Sequence, residues 1–404
     1  MQKQLNLYSD FLGKYAILLM MIPTVFTGFF PGKITVASFL CGWLFMFLLY
    51  KSKLPKTDFD GRYVRNCFAI YLVVIYFRGF WNIITPSDQY AMFVSGVMFC
   101  FLFPMLIYLS QPSMLSRIMR SFITLGIFLC VICYFFPPTD AQMSLAHNAS
   151  FLNVFILAIP FIKRKWSVLI IAGVLFVVLL DVDRRSIMVN NVFSLLIVLL
   201  WFLLKRCNAY RYLCCTLIIT PLILLYLGLS GSFNIFQAAS VIDFQASQDA
   251  RGFFVDSRTS IYEDVFDGLK EKGSYIAGLG LNGRVRTSLA YSEDASIDLF
   301  RYGRLGSESG MLNYIQYGGI IGGALYSLLL IFAALKATFD SKNDFIKLLG
   351  LFVAFKFLYS FIEDKIAFEA HSFYIFLWIG MCYNKKFRYM DNEQMKSYLG
   401  LIFK

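Results

Sequence analysis

Uncharged apolar runs long enough to cross a bilayer recur from Leu12 to Tyr383, and nothing else in the chain restricts its fold so severely. They leave no long polar half in which a separate soluble domain could form. Composition agrees: 58% of the 404 residues are hydrophobic and 15% are charged, where soluble domains run at about 25% charged. The sequence therefore predicts an all-α polytopic membrane protein.

Twelve spans are read, at roughly 12–30, 34–50, 66–84, 90–109, 118–136, 150–162, 166–180, 186–204, 212–229, 309–335, 345–362 and 366–383. Spans six and seven are short, and omitting both leaves the later loops on the same sides. The first run continues as a full span without a small-residue cleavage site, so the first helix is expected to be retained. The formal charge of +12 would suit a nucleic-acid partner only if the 37 basic residues formed one patch. Instead they sort by side. The side holding the N-terminus carries 23 Lys and Arg against 7 acids, and the rest of the chain 14 against 18. By the positive-inside rule both termini are expected in the cytoplasm, no nucleic acid is expected as a partner, and the bilayer is.

Cys41, Cys67, Cys100, Cys130, Cys133, Cys214, Cys215 and Cys382 fall in or at the edges of spans, and Cys207 in a cytoplasmic loop. The Cys130-x-x-Cys133 turn has no His or acid nearby. The cysteines read as small buried hydrophobes, and no metal or cofactor is expected.

Loop lengths are more informative. Most connections are short, but residues 230–308 form a 79-residue outer segment that divides nine spans (1–229) from three spans and a tail (309–404). Ile261, Tyr262, Val265, Phe266 and Leu269 follow helical spacing, and Ser260-x-x-Glu263 reads as a capping box. The segment is predicted to be a partly helical domain capping a membrane cavity, and Phe233 to Phe244 to lie along the interface.

Several outer residues form a constellation. Arg184-Arg185-Ser186 opens span eight, and the large loop holds Arg251, Arg258, Gly278-Leu279-Gly280, Arg284 and Arg286. It ends in Gly306-Ser307-Glu308-Ser309-Gly310-Met311-Leu312, followed by Tyr317-Gly318-Gly319-Ile320-Ile321-Gly322. Over roughly residues 180–325 this pattern resembles the O-antigen polymerase and ligase superfamily of the Wzy and WaaL type. The resemblance implies a GT-C-like, periplasm-facing glycosyltransferase of the bacterial inner membrane, with undecaprenyl-pyrophosphate-linked glycans as donor and acceptor. It also leaves room for a chain-length-regulating partner. Carried over, the family's Ser-Arg arginine corresponds to Arg185 and its loop arginine to Arg258. Ligases carry a His-Asn pair before the Leu; here Glu308-Ser309 stands there, which favours a polymerase and speaks against a His-based mechanism.

The chemistry of these residue types fits. A departing lipid pyrophosphate gains negative charge, and guanidiniums fork onto phosphate oxygens, so Arg185 and Arg258 are the candidate clamp. A sugar hydroxyl needs a base, and Glu308, where the loop returns to the membrane, would have its pKa raised by burial. Competing structural roles remain: Arg184 pairing with Asp181 or Asp183, Arg258 with Asp256 or Asp264, and Glu308 as a partner of the helix dipole. Arg184, Arg251, Arg284, Arg78 and His147 complete the candidate substrate-binding set. Arg78, late in span three, either faces a polar cavity or snorkels outward. Lys356 in span eleven requires an acid or carbonyl partner, Glu363, Asp364 and Glu369 flank the last hairpin, and His371 falls just inside span twelve.

The other readings are an O-antigen ligase or a lipid-linked oligosaccharide flippase. Against a transporter, the halves show no internal repeat. Without a Walker motif or an Asp-x-Asp pair, the sequence shows no ATP-driven or metal-dependent nucleotide-sugar chemistry.

Overall fold

A computed structural model describes residues 7–29, 34–52, 58–126, 152–180, 185–206, 209–229, 257–287, 301–364, 366 and 370–403. In chain order the helices are α1 (Leu7–Phe29), α2 (Ile34–Lys51), α3 (Arg62–Gly79), α4 (Pro86–Ala91) and α5 (Phe103–Leu106). They continue as α6 (Pro112–Ser121), α7 (Leu152–Ala158), α8 (Arg164–Leu180), α9 (Arg185–Leu199), α10 (Trp201–Arg206) and α11 (Tyr210–Leu229). The last are α12 (Ser257–Glu271), α13 (Gly310–Phe339), α14 (Asp344–Tyr359), α15 (Ala370–Tyr383), α16 (Lys385–Tyr389) and α17 (Asn392–Ile402). Among the described residues the only β features are three isolated bridges.

Among the described residues four helical stretches are long and apolar enough to cross a membrane: Arg62–Asn82, Asp88–Leu109, Tyr210–Leu227 and Gly310–Phe339. The chain is thus an all-α membrane protein. Side chains such as Ile70, Val74 and Phe77 on α3 and Ile219, Ile223 and Tyr226 on α11 are exposed, as lipid-facing surfaces require. The helices start where their sequences allow it. Thr85 caps α4 in a reciprocal capping box with Asp88, with Pro86 in the first turn, where a missing N–H costs nothing. Stretch 88–109 passes through π-helical turns at Met92–Gly96 and Met98–Leu102.

The centre of the bundle is α13 against α14, with α3, α11 and α15 packed around them. Hydrophobicity cannot drive helices together in lipid, so close approach of small residues must. Ala333, Ala334 and Ala337 of α13 are fully buried, and a Cβ on Gly350 of α14 would stand 2.6 Å from that of Ala337. Cys41, Cys100, Cys214 and Cys382 are buried, whereas Cys67 is exposed.

Residues assigned to one side by the charge pattern meet at one end of the bundle. Arg388, fully buried, bonds to Asp60 and to Asp340, while Lys385 reaches Asp60 at 3.2 Å. Arg117 pairs with Asp10 at 2.6 Å, and Lys205 with Asp344 at 3.3 Å.

Candidate functional site

At the opposite end, α12 lies on the bundle by the face its spacing predicted. Ile261, Val265 and Leu269 are buried, Tyr262 and Phe266 pack against the same core, and the Tyr262 hydroxyl donates to the Phe361 carbonyl at 2.5 Å. This part of residues 230–308 adds a layer to the helical core. The capping-box reading fails because the helix begins at Ser257, which leaves Ser260 inside the first turn. Its other end is a Schellman motif: Ser274 N–H bonds to Leu269 O at 2.9 Å and Gly273 N–H to Lys270 O at 3.0 Å, with Gly273 at φ 59°.

Beyond Gly273 the chain plugs into a gap in α13. Gly319 sits at φ 63°, ψ −162°, and interrupts the helix. The broken ladder leaves carbonyls and amides without intrahelical partners, which in a membrane is intolerable unless other protein groups take them. The loop does so. Leu279 and Gly280 N–H groups donate to Gln316 and Tyr317 carbonyls at 2.9 and 2.8 Å, and Ile320 and Ile321 N–H groups donate to Tyr275 and Ile276 carbonyls at 2.9 and 3.3 Å. Approach is so close that a Cβ on Gly278 would stand 2.3 Å from Gly319 N. The Gly278-Leu279-Gly280 and Tyr317-Gly318-Gly319 motifs are therefore two sides of one backbone joint.

Two of the candidate arginines hold this joint. Arg78 donates to the Ala277 carbonyl at 2.9 Å. Asn82, four residues on, donates to Leu279 and Leu281 carbonyls at 2.8 and 2.9 Å. Arg284 forms an ion pair with fully buried Asp88 at 2.7 Å and donates to the Gly303 carbonyl at 3.0 Å, with its Nε buried and unpaired.

The chain returns to the bundle at residues 307–311. Ser307 N–H bonds to Asn313 Oδ1 at 2.8 Å, Ser309 caps α13, and the Ser309 hydroxyl donates to the Ser360 carbonyl at 2.8 Å. Glu308 is exposed rather than buried, because Ser307 and Ser309 on either side turn inward and leave the residue between them facing out. The burial expected to tune its carboxyl is thus absent. Glu308 lines a shallow surface depression of about 10 Å³, room for about one water molecule, with Ile261, Tyr262, Ser309, Leu312 and Ile362. Position 258 lies one turn before Ile261 and Tyr262 on α12, on the helix face that borders this depression.

Under the return segment lies a polar cluster that residue patterns alone did not assemble. Lys356 Nζ, buried on α14, stands 2.6 Å from Asp364 Oδ1, 2.9 Å from Asn190 Oδ1 on α9 and 3.2 Å from His371 Nε2 on α15. His371 Nε2 is itself 2.9 Å from Asp364 Oδ1. The partner that a lysine in span eleven requires is thus Asp364. Burial opposes the Asp364 carboxylate, but the Lys356 ammonium and the His371 ring outweigh it and hold its pKa at about 2. The signal in the sequence was a charge inside an apolar run followed closely by Asp364 and His371; which of them met which depended on tertiary packing.

Arg185 opens α9, five residues before Asn190. Arg184, Arg251 and His147, like Cys130, Cys133, Glu369 and the Phe233–Phe244 stretch, lie outside the described residues. Among the described residues no three His, Cys, Asp or Glu side chains converge to hold a metal ion. No family model, curated protein or solved structure matches the chain.

Proposed function

We propose that this chain is a polymerase of lipid-linked glycans, a metal-independent glycosyltransferase that joins undecaprenyl-pyrophosphate-linked repeat units at the outer face of a bacterial inner membrane. O-antigen or a related surface polysaccharide is its product. Twelve crossings with both termini in the cytoplasm belong to the same reading. The observation that carries it is the depression shared by α12 and the return segment, where the helix bearing Arg258 borders Glu308. The position at the membrane edge suits a lipid-borne substrate whose headgroup must meet cations and a base together.

In this reaction the acceptor hydroxyl attacks the donor's anomeric carbon, its proton passes to the Glu308 carboxylate, and the pyrophosphate leaves with the bonding pair. Arg185 and Arg258 receive the charge that develops on the phosphate oxygens. Exposure does not disqualify Glu308, because bound glycan would exclude water from the depression.

The test is purified protein incubated with a lipid-pyrophosphate-linked repeat unit, read as a ladder of longer chains. Glu308→Gln is expected to bind donor normally and elongate about 10² to 10⁴ times more slowly. Arg258→Lys should weaken donor use, since an ammonium lacks the bidentate fork. Absence of a ladder from the wild-type protein overturns the reading.

One observation favours a flippase instead: an interrupted helix beside a buried Lys–Asp pair is a transporter-like arrangement. Translocation of a labelled lipid-linked oligosaccharide across proteoliposomes, without elongation, would select it.

A further inference from the structure

The Lys356 cluster does more than neutralise a charge. Its four side chains come from α9, α14, the turn after α14, and α15. On one side Asn190 fixes α9, whose first residue is Arg185, about 7.5 Å along the axis at 1.5 Å per residue. On the other side Asp364 fixes the return segment. Its backbone bridges Ser309, with the Gly310 N–H donating to the Glu363 carbonyl at 2.9 Å. Asp364 also sits at φ 73°, a left-handed conformation uncommon for a side-chain-bearing residue. That conformation lets its backbone pair with Ser309 while its carboxylate turns inward to Lys356 and His371. A residue held this way by bonds on both its backbone and its side chain is over-determined by its surroundings, as strained residues at working sites are.

We propose that Lys356, Asp364, His371 and Asn190 are positioning residues that hold the Arg185 end of α9 in register with the Glu308 segment. The roles of Arg185 and Glu308 rest on the polymerase reading; the register itself does not. Lys356 is the hub, because an ammonium's three donors can serve an amide oxygen on one helix and a carboxylate in the turn after another at once. The Tyr359 hydroxyl donates to Glu363 at 2.6 Å and tethers the neighbouring carboxylate to α14 as well. A loose supporting shell commonly costs a site most of its rate, since a displacement of about 1 Å can cost about 10²-fold.

The experiment uses the full chain in nanodiscs. Spin labels placed as unnatural amino acids at positions 188 and 308, both exposed, report the α9-to-return-segment distance without touching native cysteines. Asn190→Leu removes the link to α9 while Lys356 keeps Asp364, so no charge is left unpaired. The expected result is a broadened or shifted distance distribution in Asn190→Leu at unchanged thermal midpoint. In the unlabelled variant, elongation kcat should fall at least tenfold, and Asn190→Gln, which restores the amide, should recover part of both. Asp364→Asn, which keeps a hydrogen-bonding side chain, should loosen the same distance from the other side. Unchanged distances in both Asn190→Leu and Asp364→Asn overturn the proposal, as does a changed distance with wild-type kcat. If the wild-type protein forms no ladder yet the distances shift, the register stands and the polymerase reading falls.

Discussion

The two ends of the bundle are closed by different means. At the end holding Arg388, short connections meet through side-chain ion pairs, and among the described residues the one positive φ there is at Gly61. At the other end a long segment docks by backbone hydrogen bonds. There positive φ values accumulate at Gly273, Gly278, Gly280, Asn282, Gly303, Gly306, Gly319 and Asp364. Ion pairs at a rim tolerate many geometries, whereas backbone inserted into a broken helix tolerates one. Irregular backbone at membrane depth persists only where protein covers it or a cavity needs it, and strained residues gather where a site requires them. The contrast sets a joint of docked backbone at the end of Gly319 and Asp364 against a clasp of side chains at the end of Arg388.

Breaking the buried pair should have the largest effect. Lys356→Met leaves the Asp364 carboxylate buried beside only a His ring, and removing one partner of a buried pair costs about 3–5 kcal/mol. Thermal unfolding in detergent should show it, and Lys356→Met/Asp364→Leu should recover much of the loss. If the single variant is as stable as wild type, Lys356 is not the hub. Gly319→Ala comes next, at about 2–4 kcal/mol, from a backbone conformation that essentially only glycine adopts plus a clash. Its Cβ would stand 2.3 Å from the Ile276 carbonyl. Hydrogen exchange at the Leu279, Gly280, Ile320 and Ile321 amides should accelerate, because those four bonds make up the joint.

The clasp should yield less. Arg388→Met deprives Asp340 of its cation and leaves Asp60 with Lys385 alone, but both carboxylates reach solvent in part, at 21% and 43% side-chain exposure, so about 1–3 kcal/mol is expected. The pH dependence has a definite sign. Burial works against the Asp60 carboxylate, but bonds from Lys385 and Arg388 outweigh it and lower its pKa. A lowered carboxylate stabilises the fold above its unfolded value and loses that contribution as pH falls through its folded value. Acid titration of the wild-type protein should therefore weaken the clasp below about pH 4. Arg388→Met should flatten that acid limb; an unchanged limb would show that Asp60 does not report on the clasp.

How much of this was legible beforehand differs between the two ends for a physical reason. Apolar runs, the charge asymmetry and the helical spacing of Ile261, Val265 and Leu269 are local properties, so the helical membrane class and the buried face of α12 could be read directly, whereas twelve spans are read where four of the described stretches have the length and apolarity of a crossing. The need of Lys356 for a partner was also readable, since an unpaired ammonium in hydrocarbon is too costly to keep. The identity of that partner was not, because Asn190 and Asp364 lie 166 and 8 residues away and nothing local distinguishes Asp364 from Glu363. Exposure of Glu308 was missed because alternation at the return segment turns Ser307 and Ser309 inward. The joint between Gly278 and Gly319 left a trace as two glycine clusters, but composition does not reveal that one docks into the other.

The smallest effect isolates what docking adds to mere strain. Gly273 and Gly319 have nearly the same φ, 59° and 63°, but the ψ of −162° at Gly319 is one that essentially only glycine adopts, so an alanine costs more there than the about 1–2 kcal/mol of an ordinary left-handed position. Their surroundings differ. A Cβ at Gly273 meets nothing within 4 Å, because the residue ends α12 in open space, so Gly273→Ala should lower stability by about 1 kcal/mol through the Schellman turn alone. Exchange should quicken at the Gly273 and Ser274 amides, which close that turn, and stay at the wild-type rate at Leu279, Gly280, Ile320 and Ile321. Equal acceleration at all six amides would mean that the loop loosens as a unit whenever its helix frays. Asymmetry between the two glycines would then vanish, and the joint at Gly319 would have to be regarded as a consequence of α12 packing instead of an independent lock.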